Sequence, residues 1–563
     1  MKFQDYIYQR PDVDAIKSKY VGFTDAFKAA KDAKAQAEII KQVFGLIDEV
    51  DTMYQLVSIR YSLNTQDAFY EAEMNFMDEA SPELQNYVNE FNKLVYASPF
   101  KQTLIQVFGQ HYFNQLEVSL QSFDEKIIPL LQEENKLNSK YSKVLAAAQI
   151  EFDGGVYNLS QMSPFTQSKD RETRHRAQLK ISSFFEANEA ELDDIYDQLV
   201  SVRNQAAKAL GYQNFVELGY KRLGRTDYGS KEVKAYREQI KRDVVPFVEK
   251  LVARKAKRLG IKDLKSYDTI SFLSGNPTPK GDLDWQVAQA TTMYQELSKE
   301  TDEFFTFMKD SGLLELDSKK GKAGGGYCTF IPGYKAPFIF ANFNGTSHDV
   351  DVLTHEAGHA FQVYQSRDFI NPMQRFPGYE ACEIHSMSME FFAWPWVPLF
   401  FKEDAQKYYF SHLAGAISFL PYGALVDEFQ HEIYENPGMS KDERKATWRR
   451  LEKQYIPSRD YDDDTFMEKG TYWFRQGHIF QSPFYYIDYT LAQVCAFQYW
   501  IRDHKNHEEA WASYVELCQL GGSKGFVALM KDAKLDSPFE DGTILRTIQP
   551  LEAFLNTIDD TKL

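Results

Sequence analysis

The sequence predicts a mainly α-helical protein that carries one small β-sheet. Apolar residues recur every three or four positions through most of the 563-residue chain, a spacing typical of helices that bury one face. Strand-like patterns are confined to two short regions. Hydrophobic residues make up 43% of the chain and aromatic residues 15%. This composition predicts a large packed core and excludes a disordered chain.

The first half of the chain reads as helices with one interruption. Apolar positions between residues 35 and 63 step by three and four, and similar patterns continue to about residue 143. Residues 149–152 and 156–159 flank an Asp-Gly-Gly turn, which predicts an isolated hairpin because glycine tolerates a positive φ. A single long helix is predicted over 169–210, with Gly211 as its end. Further helices are expected over 231–259 and 283–311.

The second predicted strand region lies just before the most informative helix. Residues 324–330 and 338–343 are the best strand candidates, and an exposed edge there could hold an extended peptide by main-chain hydrogen bonds. The alternative is a hairpin that only packs. Helices are then predicted over 350–364, 383–394, 403–419, 422–435, 440–455, 490–503 and 507–520. We expect an N-terminal helical region over 1–175 and a second region over 176–563.

The charge of the chain excludes some classes of partner. The formal net charge is −17, so phosphate backbones and anionic membrane surfaces would repel the protein as a whole. The N-terminal residues lack a signal-peptide pattern, and no apolar run reaches the ~20 residues that span a bilayer. We therefore expect a soluble cytoplasmic protein that binds neither nucleic acid nor membranes.

One stretch near the middle of the chain carries metal-binding chemistry. The predicted helix over 350–364 contains His355, Glu356 and His359 in the order His-Glu-x-x-His. Histidines four positions apart point to the same side of a helix, so both imidazoles can bind one zinc ion. Glu356 can lie beside the metal without binding it and can accept a proton from a water molecule. The motif predicts hydrolysis of an amide bond.

Chance does not account for this motif. With 11 histidines and 81 acidic residues in 563 positions, composition alone yields at most about 0.03 matches. The competing interpretation is a core helix whose two histidines bond to neighbouring backbone. The other histidine-glutamate pair, His431 and Glu432, has Glu435 where a second histidine would be needed, and we expect it at the surface.

A catalytic zinc needs a third protein ligand and leaves its fourth position to water. The motif that continues with Gly-x-x-His is excluded because Gln362 and Gln365 occupy those positions. The following helix offers Glu380, Glu383 and Glu390 as candidates for the third ligand, with His385 as a further possibility. Spacing alone does not choose between Glu380 and Glu383. Glu383 and Glu390 are seven residues apart, so one can bind the metal while the other orients a ligating histidine.

These motifs resemble those of the thimet oligopeptidase and oligoendopeptidase F family of zinc metallopeptidases. Bacterial Pz-peptidase-like members of that family have about this length. The resemblance covers residues 320–500 and is carried by five stretches: Asn342–Gly345, His355–Phe361, Glu383–Glu390, His478 and Phe484–Tyr489. It implies a large helical metallopeptidase with a deep substrate channel, a small sheet next to the zinc helix, and the channel enclosed by both regions of the chain.

The resemblance also implies which residues bind the metal. A single Zn²⁺ per chain would be bound by His355, His359 and Glu383, with Glu390 orienting a histidine and Glu356 as the general base. The choice of Glu383 over Glu380 comes from the resemblance.

The resemblance also implies that a histidine and tyrosines stabilise the oxyanion that forms when water attacks the peptide carbonyl. His478 and tyrosines of a mobile loop take this role in the family, which places it on His478, Tyr486 and Tyr489. The loop is one residue shorter here than in mammalian members, which favours Tyr489 over Tyr486. The implied activity is a zinc endopeptidase that hydrolyses short oligopeptides; the oligomeric state is left open.

Two other functions share part of this motif. A zinc aminopeptidase would share the two histidines and the glutamate, but its Gly-x-Met-Glu-Asn segment does not occur before the helix. A non-catalytic peptide-binding protein could keep the helix as a scaffold, but it would not need Glu356, which serves chemistry rather than metal binding.

Overall fold

The computed structural model describes residues 1–159, 161–319 and 321–563. Helices account for most of these residues, and five short strands form two small sheets. The predicted fold class, mainly α with a small sheet next to the histidine-bearing helix, is confirmed. Among the residues described, no helix is both long enough and apolar enough to cross a membrane.

The chain forms two compact units, each built from three separate segments. Unit 1 contains residues 1–120, 277–405 and 495–535, and unit 2 contains residues 121–276, 406–494 and 536–563. The division predicted from the sequence, at residues 175 and 176, stays a prediction, as does the channel.

Unit 1 begins with a group of long helices whose apolar faces pack together. Asp12, Asp32 and Asp67 cap the first three, each accepting hydrogen bonds from backbone N–H groups of the first turn, which satisfies donors that have no partner within the helix. The helices of this unit are Val13–Ala29, Ala33–Leu63, Ala68–Tyr96, Lys101–Phe108, Gln110–Ser122, Leu283–Leu297, Lys299–Asp310, His348–Ser366, Tyr379–Phe392, Val397–Phe401, His507–Leu520 and Phe526–Asp532. Gln110–Ser122 runs two residues past the boundary.

The sheet of unit 1 has three strands in the order Leu314–Glu315, Ala336–Phe340, Tyr327–Ile331. The first pairing is parallel and the second antiparallel, with Tyr327 opposite Phe340. All five residues of the central strand are buried. Tyr327–Ile331 is the last strand in this order and lies at an edge of the sheet. We call it the edge strand.

Unit 2 is also helical and carries the predicted hairpin. Strands Ile150–Phe152 and Gly155–Tyr157 pair antiparallel around a turn in which Asp153 and Gly154 both have positive φ. The helices are Ile128–Ala146, Ser163–Thr166, Arg171–Ala187, Glu189–Ala209, Phe215–Arg222, Ser230–Gln239, Val245–Leu259, Ala405–Glu435, Lys441–Tyr455, Thr465–Glu468, Gly477–Gln481 and Thr543–Thr557, with a π-helical turn at Ile240–Val244. Helix Tyr486–Lys505 passes from unit 2 to unit 1.

Three predicted helix boundaries differ from the structure for identifiable reasons. The helix expected over 169–210 is interrupted at Asn188, whose side-chain amide donates to the carbonyl of Phe184. The helix expected over 283–311 is divided at Ser298, which forms a reciprocal capping box with Thr301. The two helices expected on either side of Pro421 are one continuous helix, Ala405–Glu435.

Candidate metal centre

Two helices of unit 1 pack closely at a glycine. We call His348–Ser366 the histidine helix and Tyr379–Phe392 the glutamate helix. A Cβ atom built on Gly358 would lie 2.6 Å from the carbonyl oxygen of His385 and 2.6 Å from the Cα of Ser386. Only glycine allows so close an approach, because any side chain would meet backbone atoms. The glycine inside the motif therefore sets the distance between the two helices.

The start of the histidine helix is anchored to the loop that follows the sheet. Both carboxylate oxygens of Asp349 accept backbone hydrogen bonds, from Asn344 at 2.8 Å and from Gly345 at 2.7 Å. Gly345 has a φ of +83°, which glycine adopts at little cost. The amide of Asn342 donates to the carbonyls of Ala323 and Gly325, both at 2.9 Å. These contacts hold the loop between the central strand and the helix.

The structure brings His355, His359 and Glu383 together. Oε2 of Glu383 lies 3.2 Å from Nε2 of His355 and 3.5 Å from Nε2 of His359. One atom from each residue falls within 4.8 Å of the others. Four ligands about 2.1 Å from a tetrahedral zinc are separated by about 3.4 Å. The donor set, two imidazoles and a carboxylate, and its spacing therefore fit a zinc ion.

Two further side chains orient these groups. Oε1 of Glu390 lies 2.7 Å from Nδ1 of His355, so Nε2 of that ring is left to face Glu383. The hydroxyl of Ser386 donates to Oε2 of Glu383 at 3.0 Å. Carboxylates that accept from the far nitrogen of a ligating histidine fix its ring and raise its basicity.

Glu380 and His385 are placed elsewhere. Glu380 lies in the first turn of the glutamate helix, where its carboxylate lies beside Gly378. His385 is fully buried, and its backbone carbonyl accepts from the hydroxyl of Tyr514 at 2.8 Å. Neither residue belongs to the group of metal-competent atoms formed by His355, His359 and Glu383. The geometry thus separates two glutamates that spacing does not.

Burial and charge act in opposite directions on the carboxyl groups of the site. Burial raises the pKa of Glu356, and Glu383 and Glu390 add to this, while His355 and His359 oppose it. Burial also disfavours the charged form of Glu383, but the two histidines outweigh it and hold its pKa below the ordinary value. The two carboxyl groups therefore differ: Glu383 stays anionic, and Glu356 has the greater affinity for a proton.

Glu356 faces the glycine that precedes the edge strand. Its side chain is 8% exposed, and a Cβ atom built on Gly326 would lie 3.7 Å from its Oε1. The carboxylate therefore lies beside both the histidines of its own helix and the start of the edge strand. An extended chain along that edge would pass close to Glu356.

A third helix of unit 1 supports the other two. The ring of Phe361 on the histidine helix lies 6.2 Å from Tyr514 and 5.8 Å from Trp511, between ring centroids. Tyr514 also bonds to the glutamate helix through His385. Helix His507–Leu520 therefore packs against both helices that carry the site.

The remaining predicted site residues form a second cluster, in unit 2. The ring of His478 lies 4.8 Å from that of Tyr486 and 5.9 Å from that of Tyr489, between centroids. Tyr485 joins them, 5.0 Å from Tyr489. Burial lowers the pKa of His478, so its imidazole is neutral at physiological pH. The structure thus brings these residues together as a group; their role in the reaction stays a prediction.

Sequence reasoning was wrong about one histidine. His431, expected at the surface, is 4% exposed, and its Nε2 lies 3.0 Å from the hydroxyl of Tyr220 and 3.4 Å from Asp427. Glu432 pairs with the half-exposed Arg450, while the carboxylate of Glu435 lies 3.9 Å from Nδ1 of His431 itself. A helical histidine followed by acidic residues looks amphipathic in sequence, and nothing local reveals a buried partner more than 200 residues away.

A second group of metal-competent atoms was not predicted. His175, Asp462 and Asp463 lie close together in unit 2, with Nε2 of His175 2.7 Å from Asp463. The ammonium of Lys265 lies 3.4 Å from Asp462, so the negative charge of this carboxylate is already paired with a positive side chain. We assign no metal to this group.

Comparison with known proteins identifies the family. The profile of the peptidase M3 N-terminal domain matches residues 3–123, and that of peptidase family M3 matches residues 164–548. No match was found among curated proteins.

Solved structures agree over the whole chain. The structure of Pz peptidase A with inhibitor 2 is 49% identical, with a TM-score of 0.94 and 100% of both chains covered. A structure assigned as oligoendopeptidase F is 51% identical, with a TM-score of 0.95 and 100% of both chains covered. Another so assigned, from Bacillus anthracis str. Ames, is 51% identical, with a TM-score of 0.90 and coverage of 100% of this chain and 99% of that one. The chain belongs to peptidase family M3 and is a metalloendopeptidase.

Proposed function

We propose that this peptidase hydrolyses internal peptide bonds of short oligopeptides with one zinc ion per chain. Peptidases of family M3 are zinc-dependent, and their substrates are peptides. The single observation that carries the proposal is the distance of 3.2–3.5 Å from Oε2 of Glu383 to the Nε2 atoms of His355 and His359. These three side chains would hold the metal.

Glu356 is the proposed general base. When bound, zinc would polarise the scissile carbonyl and lower the pKa of a water molecule toward about 7. Glu356 accepts a proton from that water while the water oxygen forms a bond to the carbonyl carbon. The carbon–nitrogen bond then breaks, and Glu356 returns the proton to the leaving amine. A raised pKa suits this exchange because the carboxyl must both take and release the proton.

Glu383 and Glu390 have supporting roles in this proposal. Glu383 remains anionic and supplies the charged ligand, while Glu390 holds Nδ1 of His355 so that Nε2 keeps its lone pair for the metal.

His478, Tyr489 and Tyr486 are proposed to donate hydrogen bonds to the oxyanion that forms on the former carbonyl oxygen. Donors of this kind contribute about 2.7–4 kcal/mol each to the stability of the transition state. Tyr489 is preferred over Tyr486. Burial raises the pKa of Tyr486, so this phenol keeps the proton that it would donate.

The edge strand is the proposed binding surface for the substrate main chain. It pairs on one side only, among the residues that the structure describes, and its start lies beside Glu356. An added peptide strand would form main-chain hydrogen bonds with little dependence on side chains. The preference for oligopeptides is drawn from the oligoendopeptidase F relatives. The cytoplasmic location expected from the sequence stays a prediction.

The substitution Glu356→Gln tests the proposal. The amide keeps the size of the side chain but cannot accept a proton, so we expect zinc content to be unchanged and kcat to fall by about 10²–10⁴-fold. Zinc would be measured by atomic absorption, and kcat with an internally quenched peptide. An active, zinc-replete variant would refute the role of Glu356.

Blocked peptides separate the two remaining activities. We expect an N-acetylated ten-residue peptide to be cleaved at an internal bond, with both fragments seen by mass spectrometry and none formed after chelation. An aminopeptidase would leave it intact. Binding of the peptide without cleavage would instead favour the scaffold function.

A further inference from the structure

A hydrogen-bonded chain of three side chains in unit 2 ends on His478. The hydroxyl of Tyr422 donates to Oε1 of Gln476 at 2.8 Å. The Nε2 atom of Gln476 lies 2.9 Å from Nδ1 of His478. All three side chains are partly buried, so these bonds are shielded from competing water.

The surroundings of Tyr422 set the direction of this chain. Burial raises the pKa of its phenol far above the ordinary value, so the hydroxyl keeps its proton. The charged groups that face it are Arg459 and Arg475, whose guanidinium groups also lie 4.7 and 4.4 Å from the ring centroid of Tyr472. Guanidinium groups have no acceptor. The phenols of Tyr472 and Tyr486 also face Tyr422, but the hydrogen bond that its hydroxyl donates goes to Oε1 of Gln476. Nε2 of the amide is then left to face His478.

An amide nitrogen can only donate. Nδ1 of His478 must then accept, and the single proton of the neutral imidazole lies on Nε2. We propose that Gln476 and Tyr422 are positioning residues that hold His478 as the Nε2–H tautomer, the form that can donate a hydrogen bond to the reacting oxygen. The inference rests on the proposed role of His478 as a donor, and it names residues that the sequence motifs do not include.

Other groups around His478 are consistent with a neutral ring. The rings that lie against it are the phenols of Tyr485, Tyr486 and Tyr489. Arg475 is a charged residue only three positions before His478. Its guanidinium lies over the rings of Tyr472 and Phe185. Burial keeps the pKa of His478 below its ordinary value.

The first test measures the tautomer directly. Zinc-loaded protein labelled with ¹⁵N-histidine would be studied by NMR, with the His478 signals identified from the spectrum of His478→Gln. We expect the protonated nitrogen to be Nε2. In Gln476→Glu the carboxylate can only accept, so the proton should move to Nδ1. In Tyr422→Phe the amide is free to turn, and we expect signals of both tautomers.

The second test measures the consequence for catalysis. Gln476→Glu should lower kcat at pH 8 by about 100-fold, the effect of losing one such donor, with KM changed less than about twofold because the bond forms in the transition state. As pH falls, the new carboxylate favours the imidazolium, which carries a proton on both nitrogens. The ratio of variant to wild-type kcat should therefore rise toward acid pH.

A matched control has the same charge change on the same segment. Gln481 bonds to Ser142 and is exposed, so Gln481→Glu should leave kcat, its pH profile and the His478 tautomer unchanged. A wild-type His478 protonated on Nδ1, or a Gln476→Glu variant that keeps the wild-type tautomer, would overturn the inference. If the tautomer moves as expected but His478→Ala retains full kcat, the positioning is correct and the proposed role of His478 is wrong.

Discussion

Oε1 of Glu390 lies 2.7 Å from Nδ1 of His355, the nitrogen that faces away from Glu383. The charge of Glu390 should increase the basicity of the ring nitrogen on the opposite side. We expect Glu390→Gln to lower zinc affinity by about 10-fold, the low end for such contacts, because the amide keeps the hydrogen bond and loses the charge. Competition with a fluorescent zinc chelator would measure the change.

The control is Glu403→Gln, which removes an exposed carboxylate paired with Lys280 in the same unit. Its zinc affinity should equal that of the wild type. An unchanged affinity in Glu390→Gln would show that Glu390 does not tune the ligand.

The two buried glutamates at the start of the glutamate helix should behave differently. Glu383→Gln removes the charged ligand, and we expect less than about one tenth of the wild-type zinc content after dialysis against a weak chelator. Glu380→Gln should retain zinc, since its carboxylate lies beside Gly378. Zinc content by mass spectrometry and circular dichroism of both variants would separate loss of metal from loss of fold. Retained zinc in Glu383→Gln would disprove the ligand assignment.

Gly358→Ala should disturb the metal site without touching a ligand. The new Cβ would meet the backbone of His385 and Ser386 at 2.6 Å, so the two helices must separate. We expect a loss of about 1–3 kcal/mol in the free energy of unfolding together with weaker zinc binding, measured by denaturant unfolding and metal titration.

Gly45→Ala is the matched control for this change. Gly45 lies inside helix Ala33–Leu63, with no atom within 4 Å of a built Cβ. It should stabilise the protein by about 0.5–1 kcal/mol. Equal effects of the two substitutions would contradict the packing argument.

His111 should contribute to acid destabilisation. Burial lowers the pKa of His111 to about 4, against about 6.5 in the unfolded chain. Between these values the unfolded state binds the proton more readily, so stability falls as pH drops from about 6.5 to about 4, by at most about 1.4 kcal/mol per pH unit. Above pH 6.5 this cost is absent.

The substitution His111→Gln isolates this effect. The Tm of the variant minus the Tm of the wild type should be larger at pH 5 than at pH 7.5. Thermal unfolding of zinc-free protein at both values removes the contribution of metal loss. A difference in Tm that does not change with pH would exclude His111 as a source of acid sensitivity.

The sequence predicted the parts of the fold that depend on local pattern. The helix expected over 350–364 is His348–Ser366, and strands expected over 324–330 and 338–343 are Tyr327–Ile331 and Ala336–Phe340. Their apolar periodicity is strong and their neighbours in sequence are turns. The continuity of helix Ala405–Glu435 through Pro421 was not predictable, because a proline ordinarily ends a helix unless its packing compensates.

Contacts between distant segments were beyond local reasoning. Spacing left Glu380 and Glu383 equivalent, and the resemblance alone favoured Glu383. In the structure the packed helices bring Glu383, and not Glu380, together with His355 and His359. Gln476 gave no signal because its meaning depends on Tyr422, 54 positions earlier. The short strand Leu314–Glu315 was missed because two residues are too few to show an alternation.

The helix that packs on Phe361 and bonds to His385 is encoded well after the three proposed ligands, at residues 507–520. During synthesis, a nascent chain that ends before residue 507 already contains His355, His359 and Glu383. It still lacks the helix that packs against the two helices carrying these residues. Metal capture should thus stay weak until residues 507–520 have been made and have packed against both helices. The synthesis of the three ligands and the formation of a stable metal site are therefore separate events in time.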